Sequence, residues 1–308
     1  MTTLLYTHPS SLEHDTGPGH PESQDRMRAI LGALEQADLN GVERREPPRA
    51  TLEQLSRVHG GGFAETLLAA VPESGYVRID ADTVMSPGSG EAALRAAGAA
   101  CAAVDAVFAE EASNAFCALR PPGHHAEPGR AMGFCLFSNI AVAARHALEV
   151  HGVSRVSIFD FDVHHGNGTQ AAFEREPRVQ YLSTHQWPLY PGTGAREETG
   201  VGNIVNRPLP AGTNSAEWRT VVEADILPAI DQFVPELVMV SAGFDAHRRD
   251  PLAMLELTED DFGWVTEQLL VLAERHASGR LVSTLEGGYD LVALANSTLA
   301  HLNALRAT

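Results

Sequence analysis

Short apolar runs alternate with longer stretches in which apolar residues return every three to four positions. Runs at 3–6, 115–119, 156–159, 179–182, 204–205, 237–240 and 281–285 are rich in branched and aliphatic residues and predict strands, with a weaker one at 42–45. The stretches between them predict helices over 21–37, 52–58, 62–70, 89–109, 138–150, 169–175, 215–233, 258–276 and 290–305. Pro21 in the first turn and Asn40-Gly41 beyond the end bound the first helix. The strands are apolar without polar alternation, which predicts a parallel sheet buried on both faces, with helices on each side. The Ala-rich helix over 89–109 fits close packing on such a sheet. No linker or low-complexity break interrupts the rhythm, so one domain is expected over 1–308, with a polar rim loop over 80–89.

Polar, glycine-rich sequence follows nearly every strand. In open α/β sheets, sites lie beyond the carboxyl ends of the strands. The densest chemistry there is the run Ile158–Gly168. Asp160, Asp162 and His164 sit two apart, and in extended chain that period puts them on one face. Two carboxylates and an imidazole make a bed for a divalent cation. A solvated loop is the competing reading, but it gives no reason for so many ligands directly after a fully apolar strand. Asp245, after a small-residue turn, completes a set of two oxygens and one nitrogen with Asp162 and His164. Three protein ligands with an open fourth position is the catalytic pattern for zinc, while Fe(II), Mn(II) and Co(II) suit the same ligand types. His124 and His125 follow another strand. Neighbouring side chains diverge, so the two fit proton transfer beside a metal better than twin ligation. Tyr289, after Gly287-Gly288, can donate to a developing oxyanion, although a tyrosine in a glycine loop is in isolation more often simple packing.

Composition narrows the partners. Forty acidic residues against 22 basic give a formal charge of −18. That opposes direct nucleic-acid binding and favours cationic ligands. No apolar run reaches the ~18 residues of a membrane span. Residues 1–6 carry no basic region or long apolar core, so a signal peptide is not expected. Cys101, Cys117 and Cys135 lack metal-type spacing and fit free thiols in a reducing cytoplasm.

Taken in order, Arg120–His125, Asp160–Gly168, Ser183-Thr184-His185, Pro191–Gly194, Ala242–Asp245 and Glu286–Tyr289 resemble the histone deacetylase superfamily. Its members include bacterial deacetylase-like amidohydrolases, acetoin-utilisation proteins and acetylpolyamine amidohydrolases. The resemblance runs from His20-Pro21-Glu22 to the last helix. It implies an arginase/deacetylase-like three-layer α/β/α fold with a mainly parallel eight-stranded sheet. It further implies one Zn²⁺ per chain on Asp162, His164 and Asp245. His124 would be paired with Asp160, and His125 with Asn167. His125 would serve as base and then acid, His124 would stabilise charge, and Tyr289 would polarise the acyl carbonyl. Gly133, Phe134, Tyr190 and Leu252 would wall a substrate channel. Arg26 is grouped with these channel residues, near an inner acetate cavity. Asp160, Asp162, His164, Ser183 and Thr184 would form a potassium site. A homo-oligomer, dimer or tetramer, is a further expectation.

Three positions separate this chain from parts of the family it resembles. Asn167 matches the class II and bacterial branch where another branch has Asp, and leaves His125 less anchored electrostatically. Tyr190 replaces the commoner Phe and adds a hydroxyl to the channel. Leu252 stands where a polyamine-selective relative has an acidic gatekeeper. The expected reaction is zinc-dependent hydrolysis of N-acetyl-lysine or a similar acylated amine, releasing acetate. The alternatives are an acetylpolyamine or other small-acylamine amidohydrolase, an arginase-type two-metal hydrolase, and a non-catalytic acyl-amine sensor. The lone Asp245 and the complete set of catalytic residue types speak against the last two.

Overall fold

The structure, a computed structural model, describes residues 2–307. Met1 and Thr308, the ends of the expected 1–308 domain, lie outside the described residues. Among the described residues ten strands form: β1 Thr3–Tyr6, β2 Val42–Arg45, β3 Val77–Arg78, β4 Val84–Met85, β5 Asn114–Cys117, β6 Val156–Asp160, β7 Val179–Gln186, β8 Ile204–Leu209, β9 Leu237–Ala242 and β10 Leu281–Leu285. Eight of them make one sheet in the order β2-β1-β5-β10-β9-β6-β7-β8, and β3 and β4 pair as a small hairpin. Every pairing in the large sheet is parallel, so the sheet expected to be mainly parallel is wholly so.

The helices are α1 Gln24–Gln36, α2 Leu52–Ser56, α3 Phe63–Ala69, α4 Ser89–Phe108, α5 Asn139–Val150, α6 Asn167–Phe173, α7 Ser215–Val221, α8 Leu227–Phe233, α9 Glu259–His276 and α10 Leu291–Arg306. Consecutive strand residues feed opposite layers. Leu4, Ala115, Ile158, Tyr181 and Met239 face one core with α4 and α5. Leu5, Phe116, Phe159, Leu182 and Val240 face the other with α1, α9 and α10. This explains the missing polar alternation: both faces of each central strand are buried, and each large apolar side chain contributes about 1.5–3 kcal/mol.

Several boundaries differ from the sequence-based expectation, among them β8, which runs to Leu209 and not 205, and β4, which lies buried inside the expected rim loop over 80–89. Helix α1 starts at Gln24 and not at Pro21, because Glu22 is fully buried and its backbone is tied to Thr16 Oγ1 and His20 Nδ1. Strand β7 continues to Gln186, past the expected end at 182. The expected 215–233 helix is α7 and α8 joined by a π-turn over Val222–Ile226.

Candidate active site

The carboxyl ends of β5, β6, β9 and β10 lie side by side at the centre of the sheet. The loops leaving them bring His124, His125, Asp160, Asp162, His164, Asn167, Asp245 and Tyr289 together. The extended-chain expectation for Asp160, Asp162 and His164 fails, because β6 ends at Asp160. Beyond it the chain folds on its own carboxylates: Asp160 Oδ1 accepts from Asp162 N at 3.2 Å, and Asp162 Oδ1 from His164 N at 2.8 Å. Side-chain acceptors two residues back compete with strand geometry in this way. The turn aims Asp162 and His164 inward and leaves Asp160 for a different partner.

His164 Nδ1 lies 3.1 Å from Asp162 Oδ1 and 3.1 Å from Asp245 Oδ2. Both carboxylates are fully buried. Their outer oxygens are held by backbone donors, Gly287 N to Asp162 Oδ2 and Val163 N to Asp245 Oδ1, each at 2.8 Å. A Cβ at Gly243 would collide with Asp162, and one at Gly287 with Asp245. Glycine is required for backbone to approach these carboxylates so closely. Two buried carboxylates and an imidazole nitrogen, converging with no side-chain cation between them, suit a divalent ion.

His124 Nδ1 faces Asp160 Oδ2 at 3.0 Å, and its Nε2 lies 3.8 Å from Asp162 Oδ2. Burial opposes charge on this ring, but Asp162 and Asp160 outweigh it and hold the pKa well above the usual range. His125 behaves oppositely: burial, and then the charge of His124 beside it, push it well below. Its tautomer follows from its neighbours. Asn167 Nδ2 donates to Glu127 Oε1 at 2.8 Å, so Asn167 Oδ1 points at His125 Nδ1, 2.9 Å away. Nδ1 therefore carries the proton, and Nε2 is the free base.

A channel of about 220 Å³ reaches these groups, lined by Asp82, His125, Gly133, Phe134, His164, Leu189, Tyr190, Leu252 and Tyr289. Gly133 and Phe134 both have positive φ, +56° and +68°. A side chain at 133 would strike the His125 ring. Arg26 is not on the wall as expected. It is fully buried behind Tyr289, its guanidinium carbon 5.0 Å from the ring centroid. It donates to Gly288 O at 2.7 Å and Glu286 O at 2.5 Å, and pairs with Glu22. Glu22 also binds Arg120 through two oxygens. Removing one member of a buried pair of this kind costs about 3–5 kcal/mol. Of the expected potassium ligands, the Ser183 hydroxyl is engaged with His185 and the Thr184 oxygen accepts from Trp218.

Several residues were not singled out from sequence. Glu286 is fully buried and accepts from Gly123 N, His124 N, Ser241 and Thr284. Burial pushes its carboxyl up to about 7. Asp250 receives Tyr289 N and Leu252 N, so one carboxylate fixes both a channel residue and the tyrosine. Their signal was position alone, beside Gly287 and before Pro251.

Among the described residues, one other group brings three ligand atoms within 4.8 Å: Asp105, His146 and His151. Both Nε2 atoms lie 2.7 Å from Asp105 Oδ1. Arg57 Nη1 donates to His146 Nδ1 at 2.8 Å, which leaves the proton on Nε2 and directs it at Asp105. The guanidinium on the far nitrogen of His146 thus favours a hydrogen-bonded cluster here over a cation site. None of the helices among the described residues is long and apolar enough to cross a membrane.

Residues 20–305 match the family model for the histone deacetylase domain. The chain is 43% identical to the histone deacetylase-like amidohydrolase of Pseudomonas aeruginosa, over 88% of this chain and 73% of that one. It is 39% identical to a probable deacetylase of Archaeoglobus fulgidus, over 94% and 82%. It is 40% identical to the chloroplastic histone deacetylase 14 of Arabidopsis thaliana, over 98% and 76%. The solved HDA15 HD domain superposes with a TM-score of 0.93 at 34% identity, covering 99% of this chain and 88% of that one.

Proposed function

The chain belongs to the histone deacetylase family, and from that premise we propose that it is a zinc-dependent deacetylase for N-acetyl-lysine or a similar acylated amine. The observation that carries this is the buried Asp162–His164–Asp245 group and its tandem histidines at the inner end of a narrow channel. Asp162, His164 and Asp245 would hold the metal, whose chemistry when bound is to polarise the acyl carbonyl and acidify a water.

The protein's own groups do the rest. The channel takes the extended acyl-amine chain between Phe134, Tyr190 and Leu252 and keeps bulk water away from it. His125, neutral and with Nδ1–H committed to Asn167, takes the water's proton at Nε2 and later delivers it to the leaving amine. His124, held through Nδ1 by Asp160, would stabilise negative charge that develops beside it. Tyr289 donates its phenol proton as a hydrogen bond to the tetrahedral oxyanion. Burial raises that phenol well above its ordinary range, so it remains a donor. A potassium ion near Asp160 would draw on backbone oxygens of the turn. The buried free thiols of Cys101, Cys117 and Cys135 agree with a reducing compartment.

A panel of acetyl-lysine peptides and small acetylated amines, run with metal analysis, tests this. Turnover of an acetyl-lysine peptide with one zinc per chain is expected. A higher kcat/KM on acetylated polyamines would move the assignment to the small-amine class, and stoichiometric metal without turnover on any member would overturn it.

A further inference from the structure

We propose that Tyr181 is a positioning residue for hydrolysis: its single hydroxyl joins the His124–Asp160 pair and the His125–Asn167 pair into one hydrogen-bonded unit. The inference rests on the hydrolase reading above.

Tyr181 lies on β7 opposite Ile158 of β6, fully buried, with its phenol directed along the sheet toward the end of β6. The hydroxyl lies 3.0 Å from Asp160 Oδ2, the same oxygen that faces His124 Nδ1. It also lies 3.0 Å from Gly166 N. An amide N–H can only donate, so the phenol oxygen accepts from Gly166 and sends its own hydrogen to Asp160. Gly166 is the residue before Asn167, whose Oδ1 fixes the His125 tautomer. One O–H therefore holds the carboxylate behind one histidine and the backbone behind the partner of the other.

The joint is built closely. A Cβ at Gly166 would collide with Asp160 Oδ2 and the Tyr181 hydroxyl and come within 3.1 Å of His124 Nδ1, so only glycine leaves room for it. The far side is closed as well, because His124 O accepts from Gly168 N and Thr169 N at 3.0 and 3.1 Å. Tyr181 does not line the channel. It touches no substrate and acts only through the histidines.

Tyr181→Phe removes one oxygen and leaves the ring in place. With the zinc-loaded enzyme, kcat should fall on the order of 10- to 100-fold, as for other groups that orient metal-site residues, while KM and bound zinc stay unchanged. Combined with Asn167→Ala, the loss should be smaller than the product of the two single losses, because both changes release His125. An unchanged kcat, fully multiplicative losses, or a fall in kcat accompanied by matching losses of zinc and KM would each overturn the proposal. Nitrogen NMR of the imidazole rings gives a readout independent of turnover: the ring nitrogens of both His124 and His125 should shift in the variant, and a shift confined to His124 would overturn it. If the wild type turns over no acylamine, the functional reading has failed, and the NMR comparison still decides the role of Tyr181.

Discussion

Two groups in this molecule have nearly the same composition and opposite character. Asp162, His164 and Asp245 sit at the floor of the channel; Asp105, His146 and His151 sit where α4 meets α5. Residue type does not separate them. What differs is the neighbourhood. The first group is surrounded by backbone N–H donors and glycines, which satisfy the outer oxygens and leave the inner ones facing each other. The second holds a guanidinium, itself tied to Glu53 and Glu149, and the Asp105 side chain is half-exposed. A metal site is thus recognised by an unneutralised convergence of lone pairs more than by the count of histidines and aspartates.

The largest expected effect tests the first group. Chelation, or Asp245→Asn, should lower kcat/KM by at least about 10³-fold, since a catalytic metal contributes several kcal/mol. Re-addition of zinc should restore the chelated wild type and not the variant. Metal content and rates after Asp105→Asn provide the contrast, and an equal loss there would erase the distinction between the groups. Next in size is Tyr289→Phe, which should lower kcat by about 10²–10³-fold with the metal retained. Near-wild-type rates on an acetyl-lysine peptide would remove Tyr289 from the chemistry. The smallest effect is the most direct attempt to break the comparison. Arg57→Met deletes the cation from the second group and frees His146 Nδ1 to carry the proton. Metal titration of this variant should reveal a second, weaker equivalent absent from the wild type, with turnover unchanged.

Much of this was legible in the sequence, for identifiable reasons. Strands buried on both faces leave apolar runs, so β5, β6, β9 and β10 could be placed to within a few residues. Parallel topology puts chemistry at carboxyl ends, so His124, Asp162, Asp245 and Tyr289 could be collected without coordinates. What escaped depends on contacts between distant segments. The resemblance groups Arg26 with the channel, but a helix position says nothing about depth, and the side chain is buried behind Tyr289. Glu286, Asp250 and Tyr181 look ordinary in one dimension, and their roles come from what stands opposite them. The turn after Asp160 was missed because side-chain acceptors overrode the strand period.

The strand order has a consequence for how the molecule is made. β1, β2 and β5 form one flank and β6, β7 and β8 the other, while the strands that join them, β9 and β10, are the last to be synthesised. Until residues 237–285 leave the ribosome, β5 and β6 are raw apolar edges with unpaired backbone, the kind of template on which nascent chains aggregate. The proposed metal ligands straddle that seam, Asp162 after β6 and Asp245 after β9. A chain arrested before the seam closes is therefore both prone to aggregate and without the proposed site.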